Sequence, residues 1–265
     1  MVVAIIQARI GSTRLPGKVL KKVAGRPLLE YMIERAKKAK TLDAIILATT
    51  IKKEDAKLSQ IAKRQKIDFF QGSEADVLDR YYQAATRAKA RTIVRLTGDC
   101  PLIDPEIIDR VVSLYMQNQR RYDYVSNVRP PTFPDGMDVE VFSYKTLQKM
   151  WKEAGLPSER EHVTAYVGNH PELFRVGNVL AEKDFSHLRL TVDTKEDMRL
   201  IEKLVAVLWK KGDSFRLPDI IAALKRNPKL SLLNAHIGRN EGYAKSVRED
   251  PAYSITLRKK DSRIH

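Results

Sequence analysis

At 265 residues the chain is long enough for one α/β domain with an appendage, and no apolar stretch approaches the ~20 residues a membrane span requires. Its single cysteine excludes an internal disulfide and a four-cysteine zinc site; with no basic segment ahead of the first apolar run, a cytoplasmic protein is expected. The net charge of +15 sits at the two ends: residues 1–40 hold 10 Lys/Arg against 2 acids, and residues 216–265 hold 11 against 5. Such an excess could serve nucleic acid, but no recognition motif accompanies it.

Residues 2–6 are a continuous apolar run, which predicts a central strand of a parallel sheet covered on both faces. The run discharges into Gln7-Ala8-Arg9-Ile10-Gly11-Ser12-Thr13-Arg14-Leu15-Pro16-Gly17-Lys18. Gly11 and Gly17 permit backbone conformations that a Cβ would block, so freed N–H groups can face an anion while Arg9, Arg14 and Lys18 supply charge. A nucleoside triphosphate cradle is expected here. It is not a P-loop, because five residues separate Gly11 from Gly17 and Val19, not a hydroxyl residue, follows Lys18. The dinucleotide fingerprint Gly-x-Gly-x-x-Gly is also missing.

Beyond this loop, periodicity predicts a helix over 27–40, a strand over 44–48, a helix over 54–65, a strand over 67–71, a helix over 75–90 and a strand over 92–96. Asp104 is an N-cap with Pro105 at the first helical position, opening a helix to about 118. Repeated strand–helix units predict an α/β, doubly wound, mostly parallel sheet in a three-layer sandwich. Residues 129–136 form a turn-rich loop, read as part of a functional flap over about 127–175. Ser158 and Glu161 are expected to form a capping box, 187–192 a strand, and Thr194 the cap of a helix to about 211. The main domain is set at 1–215. The basic remainder, 216–265, is read as a partly ordered extension with one short helix over 218–225.

Asp99 and Asp193 each follow an apolar strand-like run, at the strand ends where open α/β sheets bind ligands. Mg²⁺ takes a few carboxylates plus phosphate oxygens and water, a demand these two could meet beside a triphosphate. Capping a turn or a helix would serve equally well for either residue. Cys100 reads as a packed thiol. Asp135, Asp138 and Glu140 lie near Arg129, Arg160 and His162 in sequence-adjacent segments. Arg offers bidentate carboxylate recognition, and His162 could take a proton near neutral pH. A purely structural role for Glu161 and His162 stays open.

The signature loop resembles that of nucleotidyltransferases that activate acidic sugars with CTP, most closely the spore-coat polysaccharide cytidylyltransferase branch related to acylneuraminate and ketodeoxyoctonate cytidylyltransferases. Further similar blocks are Ala48-Thr49-Thr50, Gly72-Ser73-Glu74, Gly98-Asp99-Cys100-Pro101, Asp135-Gly136-Met137-Asp138, Ser158-Glu159-Arg160-Glu161-His162 and Leu190-Thr191-Val192-Asp193. The tail Arg239-Asn240-Glu241-Gly242-Tyr243 is similar to that branch too. The resemblance implies a nucleotide-diphospho-sugar-transferase-like fold, CTP and an acidic small-molecule acceptor as partners, Mg²⁺ (or Mn²⁺) on Asp99 and Asp193, and a homodimer. It implies catalytic roles for Arg14, Lys18, Asp99 and Asp193. Ala8, Arg9, Gly11, Ser12, Ala48, Thr49, Ser73 and Arg80 are then the nucleotide contacts, and Asp135, Asp138, Glu140, Arg160 and His162 the acceptor side. Spacing alone does not separate cytosine from uracil, so UTP or GTP with a sugar phosphate is the alternative chemistry, and a basic nucleic-acid-binding protein the alternative class.

Overall fold

The computed structural model describes residues 1–209 and 213–251. Its middle layer is a seven-stranded sheet in the order β5 (Asp68–Gly72), β4 (Ala44–Thr50), β1 (Val2–Gln7), β6 (Thr92–Thr97), β8 (Glu140–Ser143), β7 (Tyr124–Ser126) and β9 (Val176–Asn178). A short hairpin of β2 (Lys22–Val23) and β3 (Arg26–Pro27) stands beside it. The strands from β5 to β6 pair in parallel, β8 runs antiparallel to both β6 and β7, and β7 pairs in parallel with β9. The chain winds from β1 outward through β4 to β5, then returns to add β6 on the other flank. The order therefore reverses between β1 and β6, the crevice where such sheets bind ligands.

Alternation along β1 divides the core in two. Val2, Ala4 and Ile6 meet one apolar cluster with α1 (Leu28–Ala36), α2 (Ala56–Arg64), α4 (Pro105–Gln117), α8 (Lys195–Leu208) and α9 (Leu217–Arg226). Val3 and Ile5 meet another with α3 (Val77–Arg87), α5 (Tyr144–Glu153) and α7 (Ala165–Asn169). Local signals set several helix starts. Asp104 accepts from the Glu106 amide at 2.9 Å ahead of Pro105, and Asp76 accepts from the Asp79 amide at 2.8 Å. Thr194 accepts from the Asp197 amide at 3.2 Å while Asp197 accepts from the Thr194 amide at 3.0 Å, a reciprocal capping box.

Several expected elements differ. The helix over 27–40 stops at Ala36, and residues 37–39 continue as single hydrogen-bonded turns. Ser158 is not a cap: it lies inside α6 (Pro157–Glu161), its amide donates to Asp250 at 3.0 Å, and the Glu159 carboxylate instead accepts from the amides of Gly155 and Leu156. Residues 187–192 do not join the sheet. Leu190 donates to the Asp135 carbonyl at 2.6 Å and Val192 to that of Asp99 at 2.9 Å, so the segment is a tether between the flap and the end of β6. The helix expected to reach about 211 is described to Leu208, and the expected extension beyond 251 lies outside the described residues. Leu217, Ile220, Ile221, Leu224 and Leu230 belong to the same core as α8. A separate arm begins only after Asn234, carrying α10 (Glu241–Glu249), none of whose residues is buried.

Candidate active site

The loop after β1 folds on itself. Gly17 and Ser12 donate to the Ile10 carbonyl, and the Ile10 amide donates to Asp55 Oδ1 at 2.7 Å. Gly17 takes the left-handed region at φ +67°; Gly11 does not, and a Cβ there would meet only side-chain oxygens at ordinary contact distance. The expected need for glycine at position 11 is therefore not conformational. Among the described residues, the amides of Arg9, Gly11, Thr13 and Arg14 have no protein acceptor.

Lys18 extends from this loop to the centre of the site. Its Nζ donates to Asp99 Oδ2 at 2.6 Å and to Asp193 Oδ1 at 2.7 Å. Arg14 Nη2 lies 3.0 Å from the same Asp193 oxygen. Two carboxylates from distant parts of the sequence thus share one ammonium. Burial opposes the charged forms, but the mutual attraction wins: Lys18 is raised, and the Lys18 ammonium holds Asp99 down to about 2. Burial, with Asp99 and Asp138 beside it, pushes the Cys100 thiol well up, which removes it as a nucleophile at neutral pH.

Asp193 is held from behind by Arg189, whose guanidinium also meets Asp135 at 2.6 Å and Asp197 at 3.0 Å. Asn234 donates to Asp197 at 2.8 Å and to the Arg189 carbonyl at 3.1 Å. Arg189, Asp197 and Asn234 were not singled out from the sequence. The spacing Arg189, Asp193, Asp197 is the signal, four residues apart each time across the end of the tether and the first turn of α8.

The nucleotide contacts expected from the resemblance lie at the carboxyl ends of β1, β4 and β5. Ala8 donates to the Ala48 carbonyl at 3.1 Å, and Arg80 Nη1 donates to the Ser73 carbonyl at 2.9 Å. Among the described residues, Gln7 Oε1, Thr49 Oγ1 and Arg80 Nε are buried with no hydrogen-bond partner. Each orphan of this kind costs ~1–3 kcal/mol; Gln7 and Thr49 stand at the ends of β1 and β4 and Arg80 on α3, while Ser59 Oγ, Arg95 Nε and Ser158 Oγ are unpaired likewise. Arg9 pairs with Glu161 at 3.0 Å.

The expected acceptor residues do not form one constellation. Asp135 is engaged by Arg189, and Asp138 by Arg239 Nη2 at 2.6 Å. Burial pushes Asp138 up to about 7 against the pull of Arg239, with Asp135 and Glu140 adding to the rise. Glu140 is buried, its oxygens taken by Arg95, Tyr124 and Thr164, an arrangement that ties β8 to β6 and β7. Arg160 reaches Asp76 through Nε at 3.0 Å and the Trp151 carbonyl at 2.6 Å, bracing α6 against the start of α3. His162 Nε2 is 3.0 Å from Ser246 Oγ on α10, with the Tyr243 ring edge-on at 5.2 Å. Burial, then Arg95 and Arg9, lower His162 to about 4, which leaves it neutral at pH 7 and a weak base. Glu241, also on α10, reaches Arg14 at 3.5 Å. A cavity of about 440 Å³ elsewhere, lined by Lys37, Asp43, Lys66 and Asp68 at the amino ends of β4 and β5, holds none of these groups.

Residues 3–234 match the profile of a family described as cytidylyltransferase. The chain belongs to the cytidylyltransferase family. This cytidylyltransferase is 36% identical over 231 residues to the spore coat polysaccharide biosynthesis protein SpsF of Bacillus subtilis, covering 84% of this chain and 94% of that one. It is 32% identical over 119 residues to a 3-deoxy-manno-octulosonate cytidylyltransferase of Geobacter sulfurreducens, covering 44% and 46%. Among solved structures, a cytidylyltransferase from Leptospira borgpetersenii superposes with a TM-score of 0.84 at 39% identity, covering 87% of this chain and 96% of that one. The enzyme is a CTP-dependent nucleotidyltransferase, and the mostly parallel three-layer fold is that of its relatives. No helix among the described residues is long and apolar enough to cross a membrane.

Proposed function

We propose that this cytidylyltransferase moves CMP from CTP to an acidic sugar of the nonulosonate class, releasing pyrophosphate, in surface polysaccharide synthesis. The observation that carries the reading is the Lys18 ammonium held between Asp99 and Asp193, beside Arg14. The name of the Bacillus relative supports the pathway class, and that of the Geobacter relative the acidic acceptor.

In this mechanism the amides of Gly11, Thr13 and Arg14 line the triphosphate, and Arg14 and Lys18 compensate charge building on the departing pyrophosphate. The acceptor hydroxyl attacks the α-phosphorus in line and gives its proton to water, as the bond to the β-phosphate oxygen breaks; no covalent enzyme intermediate is formed. Gln7, Thr49 and Arg80 offer the unmet polar atoms for base and ribose. Asp99 and Asp193 fit Mg²⁺, or Mn²⁺, as hard oxygen donors. Lys18 already draws an oxygen of each to one point, and Asp99 is ionised far below neutral pH. Among the described residues no cluster of three or more metal-ligating side chains is present, so phosphate oxygens and water would complete the shell. When bound, the metal supplies charge neutralisation at the α-phosphate. The reading includes a homodimer, supported by the exposed Leu173, Val176 and Leu180 around the edge strand β9; a single-chain mass by light scattering would remove that part.

The test offers four nucleoside triphosphates and Mg²⁺ against 3-deoxy-manno-octulosonate, N-acetylneuraminate and neutral sugar phosphates, following pyrophosphate release. CTP with an acid is the expected pair. Turnover confined to neutral sugar phosphates would overturn the acceptor class.

A further inference from the structure

Most cations around the two catalytic aspartates are already spent. Lys18 faces Asp99 and Asp193, Arg189 faces three carboxylates, and Arg160 gives three donors to Asp76 and the Trp151 carbonyl. Arg239 differs. It stands on the arm that follows the core, and its guanidinium enters the site with a side-chain exposure of 16%. Two of its five N–H donors are used, one by Asp138 and one by the Phe133 carbonyl at 3.0 Å. Among the described residues, the other three have no acceptor.

Its position follows from the same contacts. The carbonyl of Gly238, its chain neighbour, accepts from Arg189 Nη1 at 3.4 Å, and Arg189 grips Asp193. Arg239 is therefore one residue and one side chain removed from the metal carboxylates. It lies on the flap side, whereas Arg14 and Lys18 come from the triphosphate loop. In-line displacement needs the incoming oxygen opposite the departing pyrophosphate, and so away from the loop that carries Arg14 and Lys18.

We propose that Arg239 is an acceptor-binding residue, which recognises the carboxylate of the acidic sugar with its uncommitted N–H donors and so sets specificity for acids over their neutral analogues. This rests on the acidic-acceptor reading. A planar guanidinium pinned on one edge by Asp138 and Phe133 presents a fixed fork, the geometry that suits a carboxylate. Asp138 orients the fork and does not itself hold the acid.

The experiment compares the full-length wild type, Arg239→Gln, Arg239→Lys and Asp138→Asn, with CTP and Mg²⁺ saturating. The acceptors are 3-deoxy-manno-octulosonate and N-acetylneuraminate, each also offered as its carboxamide. Arg239→Gln should raise the acceptor KM roughly tenfold to a hundredfold, the size of a lost charge-assisted hydrogen bond. The CTP KM and the melting temperature should stay near wild type. The preference for acid over carboxamide should vanish in Arg239→Gln, return in part in Arg239→Lys and persist in Asp138→Asn, which keeps the cation. If Arg239→Gln loses acid and carboxamide turnover equally, or keeps the wild-type preference, the assignment falls while the acceptor reading stands. If the wild type binds CTP but uses neither acid, the acceptor reading falls and takes the assignment with it.

Discussion

Arg14 and Glu241 stand 3.5 Å apart, a cation of the loop after β1 held by a carboxylate of the C-terminal arm. The same guanidinium lies 3.0 Å from Asp193. A triphosphate that engages Arg14 must displace Glu241 or share the cation with it. Both partners are substantially exposed, so the contact is worth ~0.2–1 kcal/mol. Glu241→Gln should therefore tighten CTP binding by about two- to fivefold in calorimetric titration. Unchanged or weaker binding would show that Glu241 does not compete.

Removing Lys18 leaves Asp99 and Asp193 without the charge that draws them together. Lys18→Ala should fold, yet lose about 10²–10³ in turnover, as when one preorganised donor is removed. Its melting temperature should rise with added Mg²⁺ more than that of the wild type, because a cation then relieves carboxylate repulsion. Asp99→Asn should lose pyrophosphate release while keeping wild-type circular dichroism. Wild-type turnover in either variant would remove the shared carboxylate site from the mechanism.

Gly136 takes φ +100°, and a Cβ there would stand 2.6 Å from Leu190 C and Thr191 N. The flap and the tether that carries Asp193 pack backbone to backbone at this point. Gly136→Ala should cost about 2–3 kcal/mol or more, read as a lowered melting temperature, because both the conformation and the space forbid a side chain. A variant that melts like the wild type would mean the two segments separate easily.

Acidification should act through His162. Its folded pKa is lowered to about 4, against an unfolded value of 6.5, so between those limits the unfolded chain binds the extra proton. Stability from this group is complete above pH 6.5 and is lost as pH falls toward 4. Between pH 7 and pH 5 the wild type should lose up to about 2 kcal/mol more than His162→Gln in denaturant titrations. Equal losses would mean the ring stays accessible to protons in the fold.

What the sequence made legible is what adjacent residues decide. The apolar run at β1, the Asp104 and Thr194 caps and the parallel half of the sheet all follow from periods and neighbours along the chain. Long-range contacts decided the rest. Ser158 reads as a cap, but its amide is claimed by Asp250, 92 residues away. Residues 187–192 have the composition of a strand, yet Asp135 and Asp99 take their hydrogen bonds. Arg239 meets Asp138 across 101 positions, a pairing that no local period encodes. The convergence of Lys18, Asp99 and Asp193 was approachable because the two aspartates follow apolar runs and Lys18 closes the loop after another; Arg189, behind them, carried only a spacing.

Because α10 buries none of its residues and meets the rest of the protein through Arg14, Asn169 and His162, it is fastened by reversible polar clasps. Fusions, epitope tags or proteolytic nicks placed just ahead of Gly238 would thus act on the chemistry directly. An assay made on such a preparation would report a partly dismantled enzyme whose hydrophobic core is intact.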